Sequence, residues 1–241
     1  MEESTFVLAI CAIRMVGGRL DMVRYLSGFA NHFDLKIRYG TRVLRVHKNK
    51  DGTFRVRDAQ GNIYSSRHLI VASGVSESYT PDIEGIELAE SYAEVSIHPE
   101  DFAGQSVLIV GKGNSAFETA ENLIGATSLM HLVSPTPLKL AWKSHYVGHV
   151  RAVNLTLADT YLLKSQNVFL DATVRKIEKR ADGELVAHIC YSHAQNEEEE
   201  LIYDRIILCT GFRFDTSIFD GSCMPKLAIN DRFPMQTSAW E

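Results

Sequence analysis

The run Gly111-Lys112-Gly113-Asn114-Ser115-Ala116 is a G-x-G-x-x-A loop standing directly after the apolar run Ser106–Val110. Ala116, Ala120, Leu123 and Ile124 follow at helical spacing, and Leu129–Val133 supplies a second strand. Strand, loop, helix and strand form the context in which such glycines cradle a dinucleotide. Each residue type has a physical reason. Gly111 permits the tight turn, Gly113 lets the backbone approach a pyrophosphate with no Cβ between, and Ala116 lets the helix pack close to the sheet. The helix N-terminus offers unpaired N–H groups and a partial positive charge to the phosphates, with Asn114 or Ser115 as its natural cap. A purely structural tight turn is the competing reading.

The end of the second strand speaks to the choice of coenzyme. An NAD site keeps an acid there, about 20 residues beyond the glycines, to bind the ribose hydroxyl. Here the place holds Val133 and Ser134, and no Asp or Glu occurs from Asn122 to Ala158, a stretch that carries Lys139, Lys143 and Arg151. An acid would repel a 2′-phosphate, whereas Ser134 can donate a hydrogen bond and a lysine such as Lys139 can pair with the charge. NADPH is therefore favoured over NADH. Each lysine taken singly also reads as an ordinary surface cation.

The elements that must position this loop come from a chain of 241 residues, 45% of them apolar. Length and composition give a packed chain of one to two domains. With 25 Lys+Arg against 30 Asp+Glu, the net charge is -5, which gives no general attraction to nucleic acid or anionic lipid. Phe6–Ile13 is the longest early apolar run, well short of the ~20 residues of a membrane span, and Glu2 and Glu3 beside it do not suit a signal peptide. Leu20, Val23, Leu26, Phe29, Ala30 and Phe33 fall on one face of a helix. Strands are predicted at Lys36–Tyr39, Arg42–His47, Thr53–Asp58 and Ile63–Ala72, with turns at Asp51-Gly52 and Gly61-Asn62.

An internal repeat gives the architecture. Thr41–Gly52 resembles Thr173–Gly183, and Leu69–Gly74 resembles Ile206–Gly211: three apolar residues, a small one, a hydroxyl and a glycine. The expected fold class is α/β, a Rossmann-type three-layer dinucleotide-binding domain with a β-meander, joined to an incomplete FAD-binding domain. The acidic run Glu197–Glu200 reads as a solvated hairpin tip, since consecutive strand residues point to opposite faces.

Other chemistries lack their residues. Cys11, Cys190, Cys209 and Cys223 form no C-x-x-C pair, so they read as buried or idle thiols. No Tyr-x-x-x-Lys or H-E-x-x-H occurs, and Ser115 lacks the flanking glycine of a hydrolase nucleophile elbow. His145 and His149 are spaced i, i+4 without a third ligand nearby and read as surface or packing residues, so no metal site is expected. Trp142 and Tyr146 read as core. Asn154-Leu155-Thr156 is a glycosylation acceptor pattern, usable in a secretory compartment.

The run from Pro99 through Leu123, with the Ser73-Gly74 and Thr210-Gly211 ends, resembles the flavin-containing monooxygenase class and, within it, the FAD-dependent oxidoreductase domain-containing proteins of the endoplasmic reticulum lumen. His145-Tyr146-Val147-Gly148, Asp159-Thr160-Tyr161 and Tyr203–Phe219 add to the resemblance, which covers residues 18–224. It implies an NADPH domain inserted in an FAD domain. Residues 1–17 are then an unassigned segment, 18–88 part of the FAD domain, 89–212 the NADPH domain with its meander, and 213–241 a return to the FAD domain. It also implies that Gly111, Gly113, Asn114 and Ser115 hold NADPH, that Ser73, Gly74, Thr210 and Gly211 lie near FAD or the domain junction, and that Val43 lies near the adenine. The implied activity is hydride transfer from NADPH to flavin, with quality-control proteins of the endoplasmic reticulum as partners.

Two departures stand out: Pro135 occupies the place of the usual basic residue after the second strand, and Tyr92 that of a histidine in the monooxygenases. By the offset of the repeat, the first glycine loop would lie before Met1. The chain then reads as a truncated or alternatively started form with weak or absent affinity for flavin, and a nucleotide- or partner-binding module without turnover is the alternative function.

Overall fold

A computed structural model describes residues 19–146, 148–159, 167–192, 194–228 and 232–235. The segment 1–17, Cys11, Thr160, Tyr161 and most of the last residues lie outside that range. The chain divides into two compact units, Met1–Leu69 with Ser217–Cys223 and Ile70–Thr216 with Met224–Glu241. No helix among the described residues is long and apolar enough to cross a membrane.

The first unit opens with helix α1 (Arg19–His32), with Asp21 in its first turn, where the helix dipole favours an acid. Leu20, Val23 and Leu26 on its apolar face are exposed. Strands β1 (Val43–Lys48), β2 (Phe54–Asp58) and β3 (Ile63–Ser66) then form an antiparallel meander. Gly52 and Gly61 take φ of +85° and +86° at its two turns, conformations that cost glycine little. The buried Asp58 carboxylate holds the second turn, accepting from the backbone N–H groups of Gln60 (3.0 Å) and Asn62 (2.8 Å), from Asn62 Nδ2 (2.9 Å) and from Tyr64 Oη (2.7 Å). The segment around Phe219 runs beside β1, Val46 N–H donating to Ile218 O and Asp220 N–H to Val46 O.

One predicted strand is absent and another is cut short. Lys36–Tyr39 is loop, and the run expected from Ile63 to Ala72 stops at Ser66, leaving Ile70 90% exposed. A strand needs a ladder partner as well as apolar residues, and no strand among the described residues runs beside Lys36–Tyr39 or beside residues 67–72.

The second unit begins with the short strands β4 (Glu77–Ser78) and β5 (Glu90–Ser91). It continues with β6 (Ser106–Val110), helix α2 (Asn114–Leu123), β7 (Leu129–Val133), the single-turn helices α3 (Ala141–Ser144) and α4 (Thr156–Asp159), and β8 (Val168–Phe169). A meander of β9 (Ala172–Lys179), β10 (Leu185–Tyr191) and β11 (Glu197–Tyr203) leads into β12 (Arg205–Leu208), and β13 (Phe212–Arg213) pairs back with β4. Five strands form one parallel sheet in the order β5-β12-β6-β7-β8.

The period-2 alternation of side chains divides this sheet between two cores. Val107, Ile109, Met130, Leu132 and Ile207 point to α2, where Ala116, Phe117, Ala120 and Leu123 meet them. Leu108, Val110, Val133, Ile206 and Leu208 point the other way, onto Val174, Ile177, Ala187 and Ile189 of the meander. Helix, sheet and meander are the three expected layers. The two repeated meanders are both present as antiparallel sheets. Only the second continues into a strand of a parallel sheet, since Ile206–Leu208 lies in β12 whereas Leu69–Ala72 forms no strand.

The acidic run is strand rather than tip. Glu197–Glu200 begin β11, the turn falls before them with Gln195 and Asn196 at positive φ, and all four glutamates are exposed on an edge strand. Charges on such an edge discourage pairing with another chain.

One polar pair is sealed between sheet and meander. His131 Nδ1 and Tyr203 Oη lie 2.8 Å apart, Phe169 packs edge-on to the imidazole, and Nε2 is buried with no hydrogen-bond partner among the described residues. Burial holds the imidazole below its ordinary value, with Glu199 opposing weakly. The unfolded chain then binds a proton more readily than the folded one, so this residue costs stability as pH falls below about 6.5. Urea unfolding between pH 7 and pH 5 is expected to lose at most about 1.4 kcal/mol per pH unit from His131, and His131→Gln should flatten that part of the profile. An unchanged slope in the variant would show that His131 does not set it.

Candidate functional site

The C-terminal end of β6 turns into α2 through two glycines with different tasks. Gly111 has φ of +140°, and a Cβ there would lie 2.2 Å from the carbonyl oxygen of Cys209, the residue after β12. Only glycine fits. Its N–H donates to Val133 O at 2.9 Å, tying the turn to β7 as well. Gly113 is the N-cap of α2 with an ordinary φ of -81°, and a Cβ there would meet nothing within 4 Å. Its missing side chain relieves no clash and instead leaves the backbone open. A helix leaves its first N–H groups without partners, and here no side chain caps them and no acid stands in the first turn.

Asn114 is not the expected cap. Its amide reaches across to a loop, Nδ2 donating to His149 O (3.0 Å) and Oδ1 accepting from Arg151 N–H (3.0 Å) and Asn154 Nδ2 (3.0 Å). Asn154, 6% exposed, also donates to Glu118 Oε1 at 2.9 Å. In the folded chain the amide of the glycosylation pattern is thus committed to internal bonds. Ser115 does not cap either; it lines a narrow cleft with Ser91, Tyr92 and Thr210.

Above the glycine turn lies a cavity of ≈ 870 Å³. Its walls are the loop Gly111–Gly113, the end of β7 from Val133 to Thr136, the start of β9, and Cys209–Gly211 after β12. Lys112, Arg175 and Arg232 line it against one carboxylate, Asp82. This excess of positive charge beside open helix N–H groups fits a diphosphate. Ser134 sits at the β7 end, its N–H given to Phe169 O (2.8 Å) and its own carbonyl accepting from Ala172 N–H (3.2 Å). At the β12 end Thr210 Oγ1 donates to Tyr79 O, and the Arg232 guanidinium lies 4.6 Å from the centre of the Tyr79 ring.

Gly111, Gly113, Ser134, Thr210 and Gly211 therefore share one cavity. Lys139 is exposed and outside the wall, although its charge reaches Lys112. Ser73 and Gly74 do not line it, and Val43 belongs to the first unit at the start of β1. Three cations went unread in the sequence. Lys112 occupies a variable position of the motif, and Arg175 and Arg232 are distant in the chain. Trp142 and Tyr146 are not core, being 56% and 57% exposed, with Tyr146 packed edge-on to His149. Among the described residues no group of three metal-ligating side chains converges. The Cys209 thiol, buried under the glycine turn, is pushed up to about 12 by that burial and stays protonated at neutral pH.

Residues 12–241 match the family model described as pyridine nucleotide-disulphide oxidoreductase. The chain is 38% identical over 248 residues to the FAD-dependent oxidoreductase domain-containing protein 2 of Mus musculus, covering 92% of this chain and 37% of that protein. It spans little more than a third of such curated relatives. Among solved structures, a bacillithiol disulfide reductase from Staphylococcus aureus superposes with a TM-score of 0.70 at 20% identity, over 91% of this chain and 64% of that one. A flavin monooxygenase from Stenotrophomonas maltophilia gives 0.67 at 20% identity, over 92% and 65%. At such identities these likenesses concern the fold.

The two glycines should separate in mutagenesis. Gly111→Ala meets a backbone carbonyl in a conformation that alanine resists, so it should cost about 2 kcal/mol or more in urea unfolding. Gly113→Ala has room and an ordinary φ, so stability should stay within about 1 kcal/mol of wild type. Equal losses for both would contradict this division of roles.

Proposed function

The chain belongs to the pyridine nucleotide-disulphide oxidoreductase family, and on that premise we propose that its cavity binds NADPH and that it serves as the pyridine-nucleotide part of a flavin-dependent, monooxygenase-like oxidoreductase. The observation that carries this reading is the open backbone at Gly113 beneath a cavity lined by three cations.

In this reading the N–H groups of Gly113, Asn114 and Ser115 hold the pyrophosphate, helped by the positive end of α2. Gly111 fixes the turn that aims them. Ser134 faces the adenosine ribose from the end of β7, and Lys139 adds a cation outside the wall. Thr210 and Gly211 close the β12 end. NADPH, when bound, supplies a hydride from its nicotinamide, and the family resemblance names FAD as its acceptor. The protein contributes position and electrostatics, and no side chain is assigned acid–base work.

For FAD itself the described residues show no second cradle of strand, glycine loop and helix. Ser73, Gly74 and Val43 are assigned to the flavin side by resemblance alone, supported by the name of the mouse relative. The resemblance likewise supplies the endoplasmic reticulum lumen as the compartment and its quality-control proteins as partners. The family name invokes a disulphide; burial pushes the Cys209 thiol up, and this reading assigns no cysteine a redox role.

Titration of the folded chain with NADPH, followed by NADPH oxidation with FAD added and with FAD omitted, tests the reading. Saturable binding is expected, weakened about tenfold or more by Gly113→Ala, a loss near 1.4 kcal/mol, together with oxidation that depends on FAD. Binding without FAD-dependent turnover would leave a nucleotide-binding module. No binding of either reduced coenzyme would overturn the assignment of the cavity.

A further inference from the structure

Lys112 stands between the two glycines, and its side chain crosses from the glycine loop to the segment that leaves β7. Nζ donates to Thr136 O at 2.8 Å, to Pro137 O at 2.8 Å and to Thr136 Oγ1. An ammonium group has three donors, so all three are spent on uncharged acceptors. No carboxylate among the described residues pairs with it. Its charge is thus fixed in the cavity wall, beside Ser134, without an ion pair to any carboxylate among the described residues.

Accepting the cavity as a pyridine-nucleotide site, we propose that Lys112 is the specificity-determining residue that selects a coenzyme carrying a phosphate monoester on its adenosine ribose. The end of the second strand is where the adenosine ribose lies in a dinucleotide fold, and Lys112 is the wall cation tied to the segment leaving that strand. A phosphate monoester brings a charge of about -1.5 to -2 at pH 7, which the bare ribose of NAD does not. Burial and the neighbouring Lys139 both push the Lys112 ammonium down from its ordinary value. Two like charges with a partly buried member are in want of an anion.

The other wall cations are less suited to this task. The Arg232 guanidinium lies over Tyr79 and within 3.5 Å of Thr210 O, at the β12 end. Arg175 is exposed on β9. Lys139 reinforces the field without entering the wall. The bonds to Thr136 and Pro137 also suit a purely structural strap, and the two roles separate experimentally. A strap acts on any dinucleotide, whereas a phosphate selector acts on one coenzyme and spares the other.

The experiment is calorimetric titration of the whole folded chain with NADP+ and NAD+, for wild type, Lys112→Met, Lys112→Arg and Lys139→Met. Wild type is expected to prefer NADP+ by about tenfold or more. Lys112→Met should remove most of that preference by weakening NADP+, with NAD+ changing less than about threefold. Lys112→Arg should restore part of it, and Lys139→Met should reduce it less than Lys112→Met. Equal weakening of both coenzymes in Lys112→Met would assign the lysine to a strap and overturn the proposal. So would an unchanged preference, or a preference lost with Lys139→Met instead.

Should Lys112→Met not fold, wild type still decides. The NADP+ preference should shrink as sodium chloride rises from about 0.05 to about 0.5 M, because a partly exposed ion pair is screened. A preference indifferent to salt would also overturn the proposal. Wild type binding both coenzymes equally would defeat the selector while keeping the cavity assignment. Wild type binding neither would defeat the cavity assignment itself.

Discussion

The second unit depends on one close approach, the backbone of Gly111 lying against the Cys209 carbonyl. β6 and β12 are neighbours in the parallel sheet and end at the same edge. At that edge β6 must turn at once into α2 without colliding with the strand beside it. Removing the Cβ at Gly111 satisfies that constraint. The turn then places the first turn of α2 at the mouth of the cavity, with its N–H groups uncapped. The positive end of a helix and an open backbone follow from the same steric fact.

The sheet behind this turn is held from both sides, and the two sides do different work. α2 presents small residues, Ala116 and Ala120, to Ile109 and Leu132, which brings its axis close to the strands. The meander covers the opposite face with Val174, Ile177, Ala187 and Ile189, and extends β9 far enough for its first residues to enter the cavity wall. One layer therefore supplies the helix terminus and the other supplies part of the enclosure. The buried His131–Tyr203 pair lies in the meander's interface, where burial favours the neutral imidazole over the charged one.

Much of this was legible because it is local. The glycine spacing, the apolar run before it and the helical spacing after it are properties of about thirty consecutive residues, and β6, α2 and β7 lie where they point. The meanders were legible from alternation and from their Asp-Gly and Gly-Asn turns. What escaped the sequence depends on partners distant in the chain. Leu69–Ala72 has the composition of a strand but lacks a ladder, and Asn114 has the type of a cap but finds better acceptors and donors at His149, Arg151 and Asn154. Trp142 and Tyr146 have the size of core residues yet are exposed, Trp142 on the single-turn helix α3 and Tyr146 just after it. The acidic run kept its exposure but proved to be an edge strand, because the turn it was expected to form is completed by Gln195 and Asn196.

The glycines of the motif make the cradle possible, but its variable positions connect it to the rest of the unit. Lys112 crosses to Thr136 and Pro137 after β7, and Asn114 crosses to the loop from His149 to Asn154. Two side chains, two residues apart, thereby bind the glycine turn to two separate downstream segments. Both segments fall within the stretch from Asn122 to Ala158 that has no acidic residue. The loop's polar bonds are consequently made to neutral backbone and amide groups, and the lysine's charge is positioned by them without being neutralised. A carboxylate in the same place would have anchored Lys112 equally well and removed the field that an anionic ligand needs. Anchoring by neutral acceptors is the arrangement that keeps a cation both fixed and available.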